Sequence, residues 1–234
     1  MKYRIIAIIS VLAVISLIVV SAVGEPNPYL RNFFSTVDEL KEWVNTPYEE
    51  QDKMYSSDKF KDAIEYIKNN GVPVPKIKGP AGENVSLTNI SVYKELYSVN
   101  KSCGIDYSML SSGEVSFNIS INIEIIPEES KASAQSGVLE YLKKSGIIQK
   151  FYENKTAVFN RYGCSVSCRI MQDKVEQFSI GGQERDVLIR TYETGWGEPD
   201  GNRIIFIYND FCVTIYNLDD LNILNEFSIE VEPL

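Results

Sequence analysis

Apolar positions along the chain follow three periods, and each predicts a different element. Ile5 to Val23 carries no charge, and only Ser10, Ser16 and Ser21 interrupt this apolar run of 19 residues. Further on, Val37, Leu40 and Val44 recur at i, i+3 and i+7 with Trp43 beside them, which predicts an amphipathic helix. Thr36 and Glu39 stand in capping-box spacing at its start, and Thr46-Pro47 stops it. A second helix is predicted from near Ser57, with Asp58 in its first turn. It turns Phe60, Ala63, Ile64 and Ile67 inward and ends at Asn69-Asn70-Gly71. Val72-Pro73-Val74-Pro75 reads as an extended linker, because a residue before proline avoids the helical region.

From Val85 the period falls to two. Residues 87–99 predict a short strand or two, broken at Asn100–Gly104. Between Val115 and Ile125, Val115, Phe117, Ile119, Ile121, Ile123 and Ile125 alternate with polar residues, the pattern of a strand with one dry and one wet face. A third helix is predicted over Ser130–Ser145, with Ala134, Val138, Leu139 and Leu142 inward and Gly146 as its stop. Strands follow near 156–161, 164–171, 174–180, 184–194, 203–208 and 211–216. Gly181-Gly182, Pro199-Asp200-Gly201-Asn202 and Asn209-Asp210 are the predicted turns. A last helix is expected from Leu218 to Phe227. Runs of strands separated by single helices predict an α+β fold: an antiparallel sheet, or sheets, with helices packed on one face.

The N-terminal run adds an address. Lys2 and Arg4 precede it, and Val20-Ser21-Ala22 or Ala22-Val23-Gly24 offers small residues for cleavage. Its length lies between that of a signal peptide and that of a membrane span, so residues 1–24 read as a cleaved signal or an uncleaved membrane anchor. Either way the positive end stays in the cytoplasm and residues 25–234 are expected outside. That body forms one exported α+β domain or two lobes, 25–127 and 128–234.

Composition then removes whole classes of chemistry. The 234 residues include no histidine, which excludes a Ser–His–Asp triad, a Cys–His dyad and any imidazole metal site built from this chain alone. With 23 basic and 32 acidic residues the net charge is −9, and without Lys2 and Arg4 it is −11. A nucleic-acid binder needs the opposite sign, so no nucleic-acid partner is expected. No G-x-G-x-x-G, P-loop or G-x-S-x-G occurs, and no cofactor, metal site or catalytic residue is assigned.

Four groups of residues stay open. Cys103, Cys164, Cys168 and Cys212 are candidates for disulfides in an exported body, or for buried thiols. On a strand, Cys164 and Cys168 stand about 13 Å apart, too far to bond each other. Five N-x-[ST] sequons mark Asn84, Asn89, Asn100, Asn118 and Asn154 as candidate glycosylation sites, or as turn and wet-face residues. Glu49-Glu50, Glu128-Glu129 and Asp219-Asp220 are acidic pairs at predicted loops or helix starts. Trp196, between Gly195 and Gly197, is a candidate contact for a ligand or partner.

Phe34-Ser35-Thr36-Val37-Asp38-Glu39-Leu40 resembles a helix start of small α+β extracytoplasmic modules of unknown function in bacterial envelope proteins. Ile204–Tyr208, Asn209-Asp210, Phe211–Tyr216 and Leu218-Asp219-Asp220-Leu221 resemble their closing strand–turn–strand–helix pattern. Some such modules are attached to regulators of the anti-sigma kind. The resemblance implies an envelope location and carries over no catalytic residue. The leading expectation is a non-enzymatic cell-surface or secreted binding module with an unidentified protein or glycan ligand. A carboxylate-based glycan hydrolase is the alternative, and a protein inhibitor or lipoprotein-like chaperone a further one.

Overall fold

A computed structural model describes residues 29–51, 60–78, 82, 84–95, 103–111, 118–144, 148–151, 156–161, 164–194, 199–216, 218 and 220–234. The apolar run 5–23, the start of the second helix near Ser57, Trp196, Asn100 and Asn154 lie outside the described residues. Among the described residues no helix is long and apolar enough to cross a membrane.

The fold is α+β with antiparallel pairing. Its strands are β1 (Tyr29–Phe34), β2 (Val72–Lys76), β3 (Val85–Glu95), β4 (Cys103–Ser111), β5 (Asn118–Ile125) and β6 (Ile148–Phe151). They continue with β7 (Thr156–Arg161), β8 (Cys164–Ile180), β9 (Gln183–Thr194), β10 (Pro199–Tyr208), β11 (Phe211–Tyr216) and β12 (Ser228–Glu232). Ten of them form one sheet in the order β1-β3-β4-β5-β11-β10-β9-β8-β7-β6, and β12 pairs with β2 in a separate ribbon. The sheet continues across residue 127, because β11 pairs with β5 from Phe211↔Ile125 to Tyr216↔Ser120.

Alternation determines what each strand buries. Ile119, Ile121 and Ile123 of β5 lie on the first face with Ile105 and Tyr107 of β4, Val213 and Ile215 of β11, and Ile204 and Phe206 of β10. Helices α1 (Val37–Asn45) and α2 (Lys61–Asn70) cover this face through Leu40, Val44, Ala63, Ile64 and Ile67. Thr36 Oγ1 accepts from the Glu39 amide at 3.2 Å, and Glu39 Oε2 reaches back to the Ser35 amide at 2.7 Å. The capping box therefore closes one residue earlier than the Thr36–Glu39 spacing implies. Trp43 packs between Phe34 and Phe60, with ring centroids 5.2 and 5.6 Å away.

Helices cover both faces, not one. Helices α3 (Lys131–Gln135) and α4 (Val138–Lys144) pack Ala134, Val138, Tyr141 and Leu142 against Leu188, Ile205 and Cys212 on the second face. The reason lies in β9, β10 and β11, where Val187-Leu188-Ile189, Ile204-Ile205-Phe206 and Phe211-Cys212-Val213 are unbroken apolar runs. Such runs point side chains both ways, and both faces must then be covered.

Other expectations change too. The expected linker is β2, with Val72 to Pro75 buried and the Tyr107 hydroxyl donating to the Pro73 carbonyl at 2.6 Å. The third helix splits at Gly137, whose φ of +121° breaks the helical path. Pro199–Asn202 is the irregular start of β10, with a register shift there against β9. The two predicted strands 164–171 and 174–180 are one, β8. The last helix is a 3₁₀ segment, Leu221–Glu226, started by Asp220, whose side chain accepts from the Asn222 amide at 3.0 Å. Gly181-Gly182 and Asn209-Asp210 turn as expected, with φ of +61°, +74° and +53° at the first three of these residues.

Candidate functional site

The second face divides along a single row of residues. Phe33, Ser91, Asp106, Asn122, Thr214, Ile205, Leu188 and Val175 stand directly opposite one another across eight strands. On the β9–β11 side, Ile205 and Leu188 lie under α3 and α4. From β1 to β11 the same row is polar, except for Phe33 at the edge, 58% exposed. Neighbouring strands lie about 4.8 Å apart, so Phe33 and Asn122 are separated by about 14 Å.

Four side chains of the polar half are interlinked. Arg31 Nη1 lies 2.9 Å from Asp106 Oδ2. Asn122 Nδ2 donates to Asp106 Oδ1 at 2.6 Å, and the Tyr93 hydroxyl donates to Asn122 Oδ1 at 3.4 Å. The Arg31 guanidinium lies 5.9 Å from the Tyr93 ring centroid. Tyr93 reaches Asn122 across Gly104, where a Cβ would stand 3.0 Å from the Tyr93 oxygen. Burial pushes the Asp106 carboxyl above its ordinary range, opposed by the Asn122 hydrogen bond and by Arg31. Burial, then Glu124 and Asp106, hold the Tyr93 phenol well above 10.

Under α4 the face is dry. The Tyr141 hydroxyl donates to Glu124 Oε1 at 2.6 Å, with both side chains buried. Cys212 is directly opposite Glu124 on β11. Arg190 on β9 is fully buried.

No family model, curated protein or solved structure matches the chain.

The structure rearranges the sequence-derived candidates. Cys103 and Cys212 are free thiols, and both are buried. Cys103 packs in the first-face core and Cys212 in the second, so the sheet separates them. Burial pushes the Cys103 thiol up to about 12 and the Cys212 thiol well above 9. Cys164 and Cys168 lie on β8, opposite Arg161 and Ala157.

Acidic pairs begin helices. Glu49-Glu50 is exposed in a 3₁₀ turn, Glu128 pairs with Lys131 at 2.7 Å, and Asp220 caps the last 3₁₀ segment. Asn84 and Asn118 are exposed, whereas Asn89 is half-buried.

Sequence reasoning missed Arg31, Tyr93, Asp106 and Tyr141. Asn122 and Glu124 were visible as polar members of the β5 alternation. Their partners come from three other strands and a helix, and that register is not written locally.

Proposed function

We propose that this chain is an extracytoplasmic binding module that acts without catalysis, secreted after cleavage or held to the membrane by residues 5–23. Its ligand face is the polar half of the second sheet face. The supporting observation is Phe33, exposed beside Ser91, Asp106 and Asn122 in one row. A large apolar ring left in water next to ordered donors and acceptors is the composition of a recognition surface, whose affinity concentrates in a few anchors. Arg31, Asp106 and Asn122 hold one another in place, so little side-chain freedom is lost when a ligand arrives. The apolar run and the resemblance to envelope modules support the location.

The test is binding of the full-length protein to arrayed envelope polysaccharides and peptides. Phe33→Ala and Asn122→Ala are expected to weaken a captured ligand by at least about tenfold, the scale of a hot-spot residue. Glu49→Gln, in an exposed 3₁₀ turn outside this row, is expected to leave it unchanged. Turnover of an arrayed glycan that depends on acidic residues would replace this reading with the hydrolase one.

A further inference from the structure

Five sequons look alike in the sequence, and the fold separates them. Ser86, Leu110 and Asn118 stand opposite one another across β3, β4 and β5. Leu110 and Asn118 adjoin Met109 and Ile119, which are buried in the first-face core, so by alternation both point to the second face. Val85 and Leu87 pack against the same core, which places Ser86 on the second face and Asn84 beside it. Asn84, Ser86, Asn118 and Ser120 are all exposed. Two complete sequons thus converge on one end of one face, on either side of Leu110, which is 38% exposed.

The Asn89 sequon differs. Asn89 is half-buried, and its hydroxyl partner Ser91 is 3% exposed in the row between Phe33 and Asp106. A glycan there would have to leave through the polar network.

We propose that Asn84 and Asn118 carry N-linked glycans which shield the Leu110 end of the second face, and that Asn89 stays unmodified. This rests on the extracytoplasmic reading above and on a eukaryotic or archaeal host, because the donor is a lipid-linked oligosaccharide used on the non-cytoplasmic side of the membrane. In the transfer the side-chain amide nitrogen forms a bond to the sugar C1. The C1–O bond to the lipid phosphate breaks, the phosphate leaves with the electron pair, and the amide proton passes to the transferase. Nothing is oxidised or reduced. Exposure of both the amide and the i+2 hydroxyl is what that enzyme needs.

The experiment is glycopeptide mass spectrometry on the full chain purified from its source cells, with fractionation of the same culture. Glycans on Asn84 and Asn118 with Asn89 bare is the expected result. Each of Asn118→Gln and Ser120→Ala, both at exposed positions, is expected to remove one glycan from the intact mass. A protein found outside the cytoplasm with either site bare overturns this inference and leaves the binding reading standing. A protein retained inside and bare overturns both. Asn89 occupied as fully as Asn118 overturns the selection by the fold.

Discussion

The hydroxyl of Tyr141 on α4 donates to the carboxyl of Glu124 on β5 across 2.6 Å, inside the core that joins α3 and α4 to the sheet. Burial first, and then Glu124, push the Tyr141 phenol far above its ordinary value, so it is a proton donor at every physiological pH. Tyr141→Phe keeps the ring and removes the donor. A hydrogen bond to a buried carboxyl is worth about 1–3 kcal/mol, and that loss is expected in urea unfolding. Because the bond ties α4 down over Cys212, native-state alkylation of Cys212 is expected to speed up. Alkylation of Cys103, on the other face, should not. Equal acceleration of both thiols would show that α3 and α4 do not open separately.

Gly104 is required by its neighbours, not by its own backbone angles. A Cβ there would meet the Ile123 carbonyl oxygen at 2.3 Å and Glu124 Cα at 2.9 Å, besides the Tyr93 hydroxyl. Two of these are backbone atoms of β5 and cannot turn aside. Gly104→Ala is expected to cost about 3 kcal/mol, the upper part of the usual range for overpacking, measured as a lower urea midpoint. A change under about 0.5 kcal/mol would contradict the close β4–β5 approach.

Gly71 combines both constraints. Its φ is +93°, its amide donates to the Ile67 carbonyl at 2.8 Å, and a Cβ would stand 2.5 Å from the Glu232 carbonyl oxygen. With ψ at 178° this is a backbone region nearly confined to glycine, so Gly71→Ala strains the end of α2 by about 1–3 kcal/mol and pushes β12 away from β2. Amide hydrogen exchange in Ser228–Glu232 is expected to accelerate more than exchange in β5 or β11.

Alkali is expected to unfold the protein. Tyr93, Tyr107 and Tyr141 are raised above the ordinary value of 10.0, chiefly by burial, and Tyr66 is pushed up to about 12 by burial and Asp210. Cys103 and Cys212 are raised from 9.0 in the same direction. Groups with raised values hold their protons more tightly folded than unfolded. Their contribution is complete below pH 9 and is lost as pH climbs past 9 for the thiols and 10 for the phenols. The tyrosinate absorbance contributed by these four tyrosines should therefore rise late, in step with the loss of circular dichroism. Ionisation of these tyrosines near pH 10 in a protein that stays folded would contradict their burial.

Local chemistry was legible wherever a residue's role depends on its near neighbours. Thr36 caps α1, the Ile119–Ile121–Ile123 row is buried, and Gly181-Gly182 and Asn209-Asp210 turn their hairpins. The unbroken apolar runs of β9–β11 are the local signal for helices on the second face. β12 and β6 were not legible. β12 pairs with a strand more than 150 positions earlier in the chain. β6 has only Ile148–Phe151 from which to show a period. The polar network depends on strand order, since Arg31, Tyr93, Asp106 and Asn122 come from four strands and meet only because β1, β3, β4 and β5 are adjacent.

The chain alone determined the class of the protein: a mixed α and β body without imidazole chemistry, acidic, behind an apolar run with a positive start. These depend on composition and on periods a few residues long, so they are readable one segment at a time. Only the tertiary structure decided which face each apolar row covers, that Cys103 and Cys212 are parted by the sheet, and that Phe33 and Asn122 share a row. Those depend on pairing between distant segments. Pairing is set by the burial energy of the whole sheet, which no single segment contains.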